Sequence, residues 1–83
     1  SVNFNDITFE VYPNPTTNYV NIDGATLISE IEVYNTIGDN IISISNNLSA
    51  NRMKIDLSNQ PKGVYFLRIN HSKQLINHKI VLQ

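Results

Sequence analysis

The chain predicts an all-β fold, an antiparallel sandwich, and three observations carry that prediction. Apolar residues recur at every second position in almost every apolar stretch, the period of a half-buried strand. Those stretches are rich in β-branched residues, which suit a pleated surface. Clusters of Asn, Asp, Gly, Pro and Ser separate them at short, even spacing, as in sandwiches and barrels. No stretch has a convincing helical period.

Taken in order, Phe9 and Val11 alternate with Thr8, Glu10 and Tyr12. Val20 and Ile22 alternate with Tyr19 and Asn21, and Asp23-Gly24 supports a tight reversal after them. Ile31 and Val33 alternate with Glu30, Glu32 and Tyr34. Asn35-Thr36-Ile37-Gly38-Asp39 then reads as a hairpin loop with Gly38 in the left-handed position, often the site of a bulge. Residues 46–51 form a longer polar connection. Met53, Ile55 and Leu57 alternate with Arg52, Lys54 and Asp56. Residues 58–63 are a second connection, shaped by Pro61 and Gly63. Tyr65, Leu67 and Ile69 alternate with Phe66, Arg68 and Asn70, which predicts a core strand at the centre of its sheet. Asn70-His71-Ser72-Lys73 closes the final hairpin. Ile76, His78, Ile80 and Leu82 share one face of the last stretch, with Lys79 and Val81 on the other. About seven strands at this spacing match an immunoglobulin-like sandwich, and a barrel is the alternative. Residues 1–7 are polar, lack a settled alternation and read as a tether to whatever precedes the domain, which occupies 8–83.

The 83 residues suffice for one domain that buries roughly 60–65% of its unfolded surface. A hydrophobic content of 41% is too high for a disordered tail. With 16% charged residues and a net charge of −1, the chain has no general field for nucleic acid or anionic lipid. It has no apolar run long enough to span a membrane and no signal-peptide pattern, so export would need a signal on a larger precursor. Without cysteine there is no disulfide, thiol nucleophile or thiolate metal site.

Charge is distributed unevenly. Asp6, Glu10, Asp23, Glu30, Glu32 and Asp39 precede residue 50. Arg52, Lys54, Lys62, Arg68, Lys73 and Lys79 follow it, opposed there by Asp56 alone. A bipolar surface for a partner is one reading. Pairing of early acidic strands with late basic ones is the simpler and preferred one.

Little in the chain resembles reaction chemistry. His71 and His78 have no carboxylate or histidine at short ligand spacing, which argues against zinc and against an acid–base pair. No calcium loop, nucleophile elbow or phosphate-cradling glycine loop occurs. The expectation is a non-enzyme without cofactors. Two segments have a double meaning. Pro13 and Pro15 fix φ and lack donors, so Tyr12-Pro13-Asn14-Pro15 leaves the first strand and runs rigidly outward. It is either a stiff loop that prevents edge pairing or a preorganised epitope. Gly63-Val64-Tyr65 is a core strand in which Tyr65 enters the interior and its hydroxyl needs a partner.

Together these segments resemble the type A C-terminal sorting domain of the Bacteroidetes type IX secretion system. Tyr12-Pro13-Asn14-Pro15 corresponds to the first motif of that family. Residues 31–38 are similar to its middle strand and glycine turn. Ile55-Asp56-Leu57-Ser58 with Gly63-Val64-Tyr65 resembles the third motif, and Lys79-Ile80-Val81 the last. The match covers about residues 9–83, with one departure: many members place a second lysine near the end, where Leu82-Gln83 stands.

The resemblance implies an immunoglobulin-like sandwich behind an N-terminal cargo domain. That cargo crosses the periplasm and is directed through the outer-membrane translocon and its shuttle components to the cell surface or beyond. It implies removal by a sortase-like cysteine protease, with the cut in or before residues 1–7. Tyr12, Pro13, Asn14, Pro15, Gly63, Tyr65, Lys79, Ile80 and Val81 are the recognition residues it points to. If the last strand, Leu75 to Gln83, lies at a sheet edge, its backbone can pair with a receptor strand. The competing reading is a stand-alone sandwich that binds carbohydrate or mediates adhesion, with outward Tyr19, Tyr34 and Phe66 as stacking surfaces.

Overall fold

The computed structural model describes residues 9–72 and 74–83. The proposed tether at 1–7 and Lys73 of the final hairpin lie outside them. Seven strands follow in order: β1 (Glu10–Tyr12), β2 (Tyr19–Asp23), β3 (Ile28–Tyr34), β4 (Asn40–Ser45), β5 (Arg52–Asp56), β6 (Gly63–His71) and β7 (Leu75–Leu82). They form a three-stranded sheet, β1-β2-β5, and a four-stranded sheet, β4-β3-β6-β7, antiparallel throughout. This is the immunoglobulin-like sandwich expected from the alternation. β6 is an interior strand, as its apolar face predicts, and β7 is an edge strand.

The inward residues of both sheets meet in one aliphatic core. Val20, Ile22, Met53 and Ile55 come from the smaller sheet. Ile28, Ile31, Val33, Leu67, Ile69, Ile80 and Leu82 come from the larger. Burying side chains of this size stabilises the fold by about 1.5–3 kcal/mol each, before the entropy of ordering them is subtracted. Tyr65 is the one aromatic residue in this buried cluster. Near the start of β6 it turns inward, and its hydroxyl donates to the carbonyl of Pro61 four residues upstream. That contact is the tyrosine corner of immunoglobulin-like folds, and it fixes how the 57–62 connection enters β6.

β4 is the strand whose sequence alternates least. Val33 pairs with Ile42 but Tyr34 pairs with Asn40, so Ile41 is an extra residue in the ladder. That bulge interrupts the period of two. The hairpin loop beside it is as expected: Gly38 has φ +89°. The Asn35 side chain accepts from the N–H groups of Ile37 and Asp39 at 3.2 and 2.9 Å.

The polar connection after β4 is held at both ends, by Asn51, whose carbonyl accepts from the Gly24 and Ala25 N–H groups, and by Asn46. Asn46 Nδ2 donates to the carbonyls of Ala25, Ile28 and Ala50, and Oδ1 accepts from the Ala50 N–H. It ties the crossover between sheets to the β2–β3 loop.

The expected cross-strand charge pairing occurs once as an ion pair among the described residues, between Asp23 on β2 and its register partner Arg52 on β5 at 2.6 Å. Glu32 and Arg68 also face each other in register. Glu32, however, accepts from the Tyr34 hydroxyl and from Asn40 instead.

Candidate recognition site around the last strand

Register brings two of the singled-out motifs side by side. Gly63, Val64 and Tyr65 pair with Leu82, Val81 and Ile80 in turn, and Phe66 pairs with Lys79. Because side chains alternate across a strand, the last motif is divided between two roles. Ile80 and Leu82 lie in the core at 0% and 4% exposure. Lys79 and Val81 project from the outer face beside Val64 and Phe66, with Lys79 exposed and Val81 half-buried. Gly63 has φ +149°, a backbone region open to glycine and costly for other residues. It sets the angle at which β6 starts.

The proline segment joins the same place by a different route. Tyr12 ends β1, and both the Tyr12–Pro13 and Asn14–Pro15 peptides are cis. The chain then leaves the three-stranded sheet and crosses to the outer edge of β7. It does not run outward, which corrects the expectation drawn from its two prolines. Asn14 Nδ2 donates to the Lys79 carbonyl at 2.9 Å, and Asn14 Oδ1 accepts from the Val81 N–H at 3.1 Å. One carboxamide thus pairs with the strand edge as a peptide group would. Thr16 continues the pairing in parallel sense: its N–H donates to the Val81 carbonyl at 2.9 Å, and its carbonyl accepts from the Gln83 N–H at 2.8 Å. Thr16 is buried, and its hydroxyl donates to the Tyr19 carbonyl at 2.6 Å. The fixed φ of proline constrains a strap whose direction these contacts set. Tyr12, Pro13, Asn14, Pro15, Gly63, Tyr65, Lys79, Ile80 and Val81 therefore lie along one strip, from the end of β1 to β6 and β7.

On the far side of the strap, the Tyr12 hydroxyl donates to Asp23 Oδ2 at 2.6 Å, and Arg52 Nε donates to Asp23 Oδ1 at 2.6 Å. The Tyr12 hydrogen bond, then Arg52, hold the Asp23 carboxyl below the usual aspartate range. Accepting by Asp23 pushes the Tyr12 hydroxyl up. The three groups tie the end of β1 to β2 and β5 where the strap begins.

The family model for the secretion system C-terminal sorting domain matches residues 10–83, almost the entire chain. The chain belongs to this family. A search of curated proteins gives no match. The family is a sorting signal of the Bacteroidetes type IX secretion system, so membership implies export to the cell surface or extracellular space and interaction with that system. It is not a catalytic family. No helix among the described residues of the sorting domain is long and apolar enough to cross a membrane. None of their His, Asp and Glu residues cluster in a group of three that could hold a metal ion.

Three residues of the sorting domain that shape this strip are not marked for it by the sequence, and a fourth, Phe66, is marked only as an outward aromatic. Thr16 sits in a polar run, Thr16-Thr17-Asn18, where nothing marks one threonine as buried. Asp23 and Arg52 were visible as opposite charges, but their pairing requires the β2–β5 register. Phe66 was expected to face outward, and does at 41% exposure; its place beside Lys79 follows from the β6–β7 register. On the same outer face an open trough of about 530 Å³ runs from Tyr34 and Asn35 across Phe66 and Arg68 to Leu75 and Asn77.

Proposed function

We propose that this sorting domain is an address read in its folded state, and that it is cut away from its cargo after use. A cargo domain N-terminal to it crosses the periplasm, and the outer-membrane translocon and shuttle components of type IX secretion engage the sandwich. A sortase-like cysteine protease then cleaves at or before residues 1–7, and the cargo is released or attached at the surface. The domain itself performs no chemistry and takes no cofactor. One observation supports this reading above the rest: the family's motif residues, distant in sequence, converge on a single strip at β7. Within that strip Tyr65, Ile80 and Gly63 build the frame, whereas Lys79 and Val81 offer side chains to a partner.

The test is a fusion of residues 1–83 to an inert passenger bearing a periplasmic signal, in a Bacteroidetes host. The expected result is passenger at the surface or in the medium, with a mass that lacks the sorting domain. A passenger that stays periplasmic counts against the address role. Delivery with the domain retained counts against cleavage and favours the binding-module reading, for which the aromatic trough at Tyr34 and Phe66 is the supporting feature.

A further inference from the structure

Among the described residues, the outer edge of β7 is protected over half its length and bare over the other half. His71 donates to the Gln74 carbonyl, so the pairs 71/74, 69/76, 67/78, 65/80 and 63/82 exchange the ladder bonds. Residues 75, 77, 79, 81 and 83 therefore turn their backbone groups away from β6. The strap takes the Lys79 and Val81 carbonyls and the N–H groups of Val81 and Gln83. The N–H and carbonyl of Leu75 and Asn77, and the N–H of Lys79, have no partner among the described residues. These five groups span about 14 Å, the length of a short strand.

The surroundings of the bare half favour a particular occupant. Arg68 and Lys79 project from the outer face around Phe66, in register with Asn77 and Phe66 respectively. Neither cation has an ion-pair partner among the described residues. The carboxylate opposite Arg68, Glu32, is already engaged by Tyr34 and Asn40. Leu75 is 46% exposed at the rim of the trough. The other edges differ: β1 has three residues, β5 carries alternating exposed charged side chains, and β4 has no cation.

We propose that Leu75–Lys79 is the seat of an extended strand from the export machinery, paired to the bare backbone groups and carrying acidic side chains toward Arg68 and Lys79. This rests on the sorting reading and moves the pairing site from the end of the chain, where the strap already lies, to the start of β7. Added strands of this kind gain affinity from main-chain hydrogen bonds and specificity from alternate side chains. The strap then acts as a stop that sets the register of the incoming strand at Lys79.

The test uses the full chain fused to the passenger. Asn77→Pro removes an outward N–H and leaves the β6–β7 ladder bonds in place, since proline is accepted at edge positions facing solvent. Asn77→Ala keeps that N–H, and Ser45→Pro makes the same change on the β4 edge. Surface delivery should fall about tenfold or more for Asn77→Pro, the effect of roughly one lost hydrogen bond to a partner. It should remain at the wild-type level for Ser45→Pro, and Asn77→Ala, which keeps the outward N–H, should lose clearly less than Asn77→Pro. Amide spectra verify each fold, and Leu75→Pro replaces Asn77→Pro if the latter unfolds. Normal delivery of the folded proline variant overturns the proposal, as does equal loss with Ser45→Pro. Arg68→Gln with Lys79→Gln should also lower delivery; no change there overturns the acidic character of the partner. Failure of the unmodified fusion to leave the periplasm sinks the sorting reading itself, a result separate from all of these.

Discussion

At the scale of single residues, Asn14 does the most with the fewest atoms. Its amide group is the only side chain bonded to both a donor and an acceptor on the edge of β7 among the described residues. Asn14→Ala should destabilise the domain by about 1–3 kcal/mol, two hydrogen bonds' worth, and hydrogen exchange should quicken at the Val81 amide first. The Tyr12–Asp23–Arg52 group gives a pH signature. The lowered Asp23 carboxyl stabilises the folded chain above the unfolded aspartate value of about 3.9, and that contribution is lost as pH falls through the lower native value. Tyr12 has the opposite sign: its contribution is complete below about 10 and is lost as pH rises through the raised native value. Thermal melts across pH should therefore lose an acid limb in Asp23→Asn and an alkaline limb in Tyr12→Phe. A residual acid slope should persist from Asp56, whose carboxyl is lowered by the side chain and then the N–H of Ser58.

At the scale of elements, β7 separates two kinds of motif residue. Ile80→Ala opens a cavity in a fully buried position and should cost about 2–5 kcal/mol, measured by denaturant unfolding. Lys79→Ala and Val81→Ala should leave stability within about 1 kcal/mol while lowering surface delivery of a fused passenger. An equal stability loss in all three would deny that division. Most strands were legible because burial on one face writes a period of two into the sequence; β2, β5, β6 and β7 keep it, and β3 keeps it from Glu30 on, after an irregularity between Ile28 and Glu30. β4 was legible only as the return arm of a hairpin, because the bulge at Ile41 puts two half-buried isoleucines in succession. The strap was legible as a departure from β1 but not in its destination. Proline restricts the local backbone, whereas the path from β1 to β7 is decided by Asn14 and Thr16 bonding to a strand more than sixty residues away.

At the scale of the whole molecule, the domain has a small margin. A chain of this size is stable by only about 4–12 kcal/mol, so one core truncation removes a large part of it. The candidate site was half legible: resemblance pointed to nine residues, and only the fold shows that they adjoin. Tyr65, held under the Pro61 carbonyl, and Ile80, sealed in the core, are separated from outward Lys79 and Val81 by an alternation already written in the sequence and kept in the pairing of β7 with β6.

That alternation limits how short a portable export tag can be. Cutting the tag back to its final dozen residues preserves every letter of Lys79-Ile80-Val81 but frees Ile80 from the interior that holds its neighbours apart. Lys79 and Val81 would then lose their fixed spacing, along with the carboxamide that anchors them from the opposite end of the chain. Such a truncated tag should leave its passenger behind, while the intact sandwich carries the same passenger out.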